Sequence, residues 1–204
     1  MSEPAYTRLK VDERRRQLIE AGSRLFAEHA FEEISMREIA SSAGISKALL
    51  YHYFPSKTEL FKAAVQQQAQ ELEQRIRPRG DLPPLEELTA SLDAYLTWIE
   101  DNAKTWSKLM QSASTLPEAR AIVEAFRERT LQQILTGLTG DHGPRPALRN
   151  ALSGWLGYID AAILDWIAAK DLNRAQLRDM LVAIFASSLF AAQQADPQIR
   201  LPTP

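Results

Sequence analysis

The sequence predicts an all-α protein of about nine helices, divided into a small N-terminal domain (residues 1–57) and a C-terminal helical bundle (58–204). Two observations carry this. Apolar residues recur at three- and four-residue spacing along almost the whole chain, with no alternating β-branched run between them. Helix-start signatures, Ser35-x-x-Glu38, Ser56-x-x-Glu59 and Thr115-x-x-Glu118, stand at the heads of such runs, with glycine or proline where they end. At 204 residues, 45% of them apolar, the chain can bury a core without metal or disulfide staples.

Leu18, Gly22, Leu25 and Phe26 mark one face of a first helix, about 12–29. The box at Ser35 opens a short second helix that closes at Gly44, where glycine takes the left-handed cap. Ser46 caps a third short helix ending near Tyr53, stopped by Pro55. The Ser56 box starts a longer one, to about Arg77. Helix, tight glycine turn and helix make a helix-turn-helix. Pro78-Arg79-Gly80-Asp81-Leu82-Pro83-Pro84 is the clearest loop. Then come a helix through Leu85 to Ile99, a shorter one through Trp106 and Met110, and one from the Thr115 box through Leu138. A loop at 139–146 precedes two long helices, 147–170 and 173–194, the second opened by Asn173-x-x-Gln176. The proline-bearing tail from Asp196 is expected to fray.

The last two helices are apolar on both faces. One carries a bulky stripe of Leu148, Leu152, Trp155, Ile159, Ile163 and Trp166, opposite the smaller Gly154, Gly157, Ala161, Leu164 and Ala168. The other carries Leu177, Leu181, Ile184, Phe185, Ser188 and Ala192 opposite Ala183, Ala186 and Phe190. Too few helices remain to cover all of this, so the sequence favours a homodimer with a four-helix interface. The expected interface set is Gly154, Gly157, Ala161, Leu164, Ala168, Leu181, Ile184, Phe185 and Ser188. The other explanation is a helix threading the middle of a monomer's core.

Several classes are excluded. There is no cysteine, and the three histidines form no His-x-x-x-His pair, so neither a metal nor another cofactor is expected. No glycine-rich phosphate loop, Gly-x-Ser-x-Gly elbow or Ser-His-Asp grouping points to an enzyme. Glu32-Glu33 and Glu86-Glu87 are adjacent and point apart on a helix. The polar N-terminus and the lack of an 18-residue apolar run predict a cytoplasmic protein with no membrane partner. Charge is nearly balanced: residues 1–62 carry 10 Lys and Arg against 9 Asp and Glu, the rest 14 against 17. Indiscriminate coating of nucleic acid is therefore not expected, and any DNA binding must come from a local surface.

That surface is the third helix. Leu50 and Phe54 give it a core-facing edge, leaving Lys47, Ala48, Tyr51 and His52 outward. Lysine and small residues at the head of a short helix suit the major groove. Lys47 donates to guanine or phosphate, Ala48 and Leu49 contact thymine methyls, and tyrosine hydroxyls bond phosphates. Lys57 adds charge at the next helix N-terminus. The competing reading of Tyr51, His52 and Tyr53 is aromatic packing between helices.

Three segments together resemble the TetR-type transcriptional repressors: Phe31-x-x-Ile34-Ser35-Met36-Arg37-Glu38-Ile39-Ala40, Ala43-Gly44-Ile45-Ser46-Lys47, and Leu50-Tyr51-His52-Tyr53-Phe54-x-x-Lys57-x-x-Leu60. The resemblance covers about residues 12–62; beyond them only the layout matches. It implies a dimeric regulator that binds a palindromic double-stranded DNA operator. A small-molecule effector in the second domain would move the connecting helices and change the spacing of the recognition helices. Ser35 would bond a phosphate and Arg37 a base or the backbone. Ser46, Lys47, Ala48 and Leu49 would lie against the DNA, the last three over base edges, while Tyr51, His52, Tyr53 and Lys57 hold the backbone. The family often has glycine or a polar residue where Ala48 and Leu49 stand, so readout here leans on methyl contacts and DNA shape. The basic residues Arg8, Lys10, Arg14, Arg15 and Arg16 are either phosphate contacts or a solvated face.

An apolar pocket is expected from Leu92, Leu96, Trp106, Met110, Phe126, Trp155 and Ile159, for a hydrophobic or amphipathic molecule; plain core packing is the rival reading. The alternative function is an interaction or architectural DNA-binding dimer without effector control.

Overall fold

A computed structural model describes residues 5–78, 80–139 and 145–199, with side chains from Val11 onward. Nine α-helices run through the described residues: α1 (Ala5–Glu28), α2 (Met36–Ser42), α3 (Lys47–Tyr53), α4 (Lys57–Ile76), α5 (Pro84–Asp101), α6 (Ala103–Thr115), α7 (Pro117–Thr139), α8 (Pro146–Ala169) and α9 (Arg174–Ala195). A 3-10 turn, Phe31–Glu33, joins α1 to α2, and no strand occurs among the described residues. α1 begins at Ala5, well before the expected start near residue 12. The loop at 139–146 and the end of the tail fall largely outside the described residues.

Local chemistry explains most boundaries. At α2, Ser35 Oγ accepts the Glu38 amide at 3.2 Å while Glu38 Oε2 accepts the Ser35 amide at 2.7 Å, a complete capping box. The helix closes in a Schellman motif: Ile45 N–H reaches the Ala40 carbonyl at 3.0 Å and Gly44 N–H that of Ser41 at 3.1 Å. Gly44 sits at φ +65°, a conformation that glycine adopts without steric cost. Ser46 caps α3 through the Leu49 amide (3.1 Å), and Asn173 and Gln176 cap α9 reciprocally. Ser56 Oγ likewise accepts the Glu59 amide at 3.1 Å. The expected box at Thr115 is different. Thr115 is the last residue of α6, and its hydroxyl donates back to the Ser112 carbonyl at 3.3 Å. α8 ends on Lys170 at φ 55°, a left-handed cap with a side chain.

The chain forms two compact units that interleave in sequence. The first comprises residues 1–71 with 104–123, the second 72–103 with 124–204. This differs from a cut near residue 57, because most of α4, all but the first residue of α6 and the start of α7 pack with the N-terminal helices. In the first unit Leu18, Ile39, Leu50, Phe54 and Leu60 are almost fully buried, with Leu109, Ala113 and Leu116 against the same cluster. Phe26, Phe31 and Phe61 form an aromatic triple with centroids 5.0 to 6.1 Å apart.

In the second unit α8 packs on α9, and α9 on α5. The bulky α8 stripe of Leu148, Leu152, Trp155, Ile159, Ile163 and Trp166 is buried. Trp155 Nε1 donates to the Leu181 carbonyl at 3.0 Å, and its ring meets Phe185 edge-on at 4.9 Å. Arg174 bridges Asp93 and Glu100, and Arg178 bridges Asp93 and Asp179, adding charge to the α5–α9 seam. α9 is also the described helix long and apolar enough by composition to cross a membrane. Two contacting sides and an apolar third account for that composition. The tail does not fray at once: Ile199 is buried, and its carbonyl accepts from Gln193 Nε2 at 3.2 Å.

Candidate nucleic-acid interface

α3 has seven residues, and only Leu50 among them is buried. Lys47, Ala48, Leu49, Tyr51 and His52 are exposed, Leu49 at 39% and Tyr51 at 42%. Two bulky apolar or aromatic side chains held in water beside a lysine are an uncommon plain surface for so short a helix. The Lys47 ammonium lies 5.6 Å from the Tyr51 ring centroid, the one-turn pairing expected of positions i and i+4. His52 meets Tyr53 edge-on at 5.5 Å, and Tyr53 is half-buried against the core. Tyr53 thus takes a share of the packing role considered for this cluster, while Tyr51 and His52 stay outward. Ser46 is exposed; its Oγ accepts the cap bond, which leaves the hydroxyl proton to donate.

Basic charge approaches from α1. The Arg15 guanidinium stacks 5.0 Å over the Phe54 ring at the end of α3, and Arg14 is tethered to Gln17 at 3.1 Å. Arg14, Arg15 and Arg16 are all exposed. Sequence spacing gave no hint of the Arg15–Phe54 contact, which joins residues 39 positions apart. The side chains of Arg8 and Lys10 lie outside the described residues. Arg37, in the first turn of α2, is exposed and makes no ion pair among the described residues.

Two expected phosphate ligands are otherwise engaged. Both donors of Ser35, amide and hydroxyl, go to Glu38 Oε2 at 2.7 Å, and these bonds hold the Glu38 carboxyl below its ordinary pKa. The Lys57 ammonium donates to the carbonyls of Phe31 (2.6 Å) and Ile34 (2.7 Å), 4.3 Å from the Phe31 ring centroid. It is half-buried rather than extended into solvent. Ser35 is a helix cap and Lys57 a staple, because the Glu38 carboxylate takes the donors of the first and the Phe31 and Ile34 carbonyls those of the second.

The expected pocket residues separate. Trp106 and Met110 stand in the first unit, the other five in the second. Leu92, Leu96, Trp155 and Ile159 are buried in that unit's core and Phe126 is half-buried. Beside them lies a polar cluster that periodicity did not reveal. Arg127 Nε donates to Asp160 Oδ2 at 2.6 Å, and Tyr95 is buried nearby. Burial raises the Asp160 pKa and Arg127 pulls it back; burial, with the Asp160 charge second, drives the Tyr95 hydroxyl well above its ordinary value.

The expected interface set also divides. Gly154, Gly157, Ala161, Leu164 and Ala168 are exposed along one α8 face. Leu181 and Phe185 are instead buried against α8, since the Trp155 contacts turn that side of α9 inward. Ile184 and Ser188 are half-buried at the margin. The open side of α9 carries Met180, Ala183, Ser187 and Phe190, the last 62% exposed.

A short capped helix set by a glycine turn on a second short helix, outward-facing and flanked by arginines, defines a helix-turn-helix DNA-binding module. The family described as "Bacterial regulatory proteins, tetR family" matches residues 18–64, and "Tetracyclin repressor-like, C-terminal domain" matches residues 84–188. The chain belongs to the tetR family of transcriptional regulators, which are not enzymes. The HTH-type transcriptional activator FasR of Mycolicibacterium smegmatis is 31% identical over 139 residues, 67% of this chain and 64% of that protein. The HTH-type transcriptional repressor AcnR of Corynebacterium diphtheriae is 23% identical over 161 residues, 76% of this chain and 84% of that one. A tetR-family regulator from Streptomyces coelicolor superposes with a TM-score of 0.82 at 29% identity, covering 92% of this chain and 85% of the other.

Proposed function

We propose that this DNA-binding regulator is a cytoplasmic homodimeric repressor that reads a palindromic operator with α3 and is controlled by a small hydrophobic or amphipathic effector. The observation that carries the operator reading is the outward face of α3, where Lys47, Leu49 and Tyr51 are held in solvent on a helix anchored by Leu50. Lys47 and Ala48–Leu49 supply donor and methyl contacts to base edges, while Tyr51, His52 and Arg15 supply phosphate contacts.

The bare small-residue face of α8 beside Met180 and Phe190 supports the dimer, since a second copy covers both faces in one isologous contact. The apolar interior around Leu96 and Trp155, bordered by the Arg127–Asp160 pair, suits an effector with an apolar body and a polar end.

The test selects duplexes from a random pool with the purified protein and measures their binding by fluorescence anisotropy at fixed salt. A palindrome with half-sites about one helical turn or more apart, bound about 10³-fold over scrambled DNA, is expected. Weak binding without enrichment refutes the operator reading. Transcription from the selected operator decides the repressor assignment: a reporter whose output rises when the protein is bound refutes it in favour of activation, the role in FasR's name.

A further inference from the structure

We propose that Lys57 is a positioning residue that ties the start of α4 to the start of α2, and so makes the recognition helix follow α4; the proposal rests on the operator reading above. Lys57 is the first residue of α4, yet its ammonium bonds carbonyls 26 and 23 residues earlier, at Phe31 and Ile34. Those carbonyls lie at and just beyond the 3-10 turn, where a short helical segment leaves acceptors in need of donors. An ammonium has three N–H groups, and two are spent here. At most one remains for a phosphate.

The position of the tether matters more than its strength. Ile34 immediately precedes Ser35, the cap of α2, and the Gly44 turn fixes α3 on α2 through the Ile45 and Gly44 amides. The covalent connection between α3 and α4 is the three-residue link Phe54-Pro55-Ser56. A helix pair attached to α4 by that link alone could swivel about it. Lys57 attaches the opposite end of the same body to the same helix. With Leu60 and Phe61 packed in the core below, the two attachments make α2, α3 and the first turn of α4 one piece. In a dimer, the distance between the two recognition helices is then set by the placement of α4.

The experiment compares wild type with Lys57→Met, which keeps the apolar stem over Phe31 but removes both charge-assisted donors, and with Lys57→Arg, which keeps donors for both carbonyls. Each is titrated across a salt series against the selected palindrome and against versions with one base pair added to or removed from the centre. Wild type is expected to prefer the native spacing by about tenfold or more. Lys57→Met is expected to cut that preference to about threefold or less, with the salt slope unchanged and Lys57→Arg close to wild type.

A slope reduced by about two per dimer, with the spacing preference intact, makes Lys57 a phosphate ligand and overturns the proposal. A lowered unfolding midpoint with both slope and preference intact makes it structural only, and overturns it equally. If wild type itself enriches no duplex, the operator reading falls instead. Hydrogen exchange in the free protein then decides the tether. Lys57→Met must speed exchange at the Glu38 and Ile39 amides, which bond to Ser35; unchanged rates there refute it.

Discussion

Gly22 on α1 and Leu60 on α4 meet so closely that a methyl group at position 22 would lie 3.1 Å from Leu60 Cδ2 and 3.3 Å from Phe26 Cε2. Leu60 is fully buried and Phe26 nearly so, which leaves them little room to yield. Gly22→Ala sets a gain of about 1 kcal/mol in helix propensity against an overpacking cost of about 1–3 kcal/mol. A net loss of about 1 kcal/mol is expected in urea unfolding. Increased stability would show that α1 and α4 separate more readily than their packing implies.

Lys47 and Tyr51 are neighbours on the solvent face of α3, and the operator reading proposed above gives them different kinds of DNA contact. Lys47→Ala is expected to relax preference at one base pair of each half-site, by about 1–3 kcal/mol if the ammonium reads a base. Tyr51→Ala is expected to weaken binding to all sequences alike. Because the two side chains stack in the free protein, the double substitution should cost less than the sum of the two. Competition titrations against single-base operator variants measure all three, and strict additivity would dissolve the coupling.

The Arg127–Asp160 pair predicts a pH dependence with a definite sign. Burial already raises the Asp160 pKa, and Arg127 is the group that restrains it. A raised carboxyl pKa favours the protonated folded form, so this residue's contribution is best below the ordinary carboxylate range and is lost as pH rises through the folded value. Arg127→Met lifts that value further. Its destabilisation, about 1–3 kcal/mol because the arginine is partly exposed, should be greatest near neutrality and shrink as pH falls. Unfolding midpoints between pH 4 and 8 test it; a penalty that grows toward acid would contradict the assignment.

Lys170 ends α8 with φ at 55°, a conformation in which a Cβ is crowded. Lys170→Gly is expected to stabilise the chain by about 0.5–1 kcal/mol, less a few tenths for the cation lost at the helix C-terminus. Chemical denaturation would register the gain, and a loss would mean that the lysine side chain holds something its backbone geometry does not disclose.

Features that depend on near neighbours were legible in the sequence. Ser35 with Glu38, Asn173 with Gln176, and Gly44 all make the bonds or turns their spacing implies, because each partner lies within a few residues. The solvent-facing side of α3 follows equally from Leu50 and Phe54. Illegible features depend on partners remote in the chain. Lys57 reads as a free cation until the fold brings the Phe31 and Ile34 carbonyls to it. Leu181 and Phe185 share a wheel position with a plausible outer face, and only the placement of Trp155 turns them inward. Arg127 and Asp160 sit on different helices, so no periodicity could pair them.

The segment before α5 has the proline and glycine content of a slack connector, yet Glu87 Oε1 gathers the amides of Gly80 (2.7 Å), Asp81 (3.2 Å) and Leu82 (3.3 Å) beneath it. Glu87 is buried, so the connector and the carboxylate satisfy one another. A cut or an inserted tag at 80–82 would break three bonds to a buried carboxyl group as well as lengthen the chain. By composition this is the obvious place to open the protein; by its bonding it behaves as a knot.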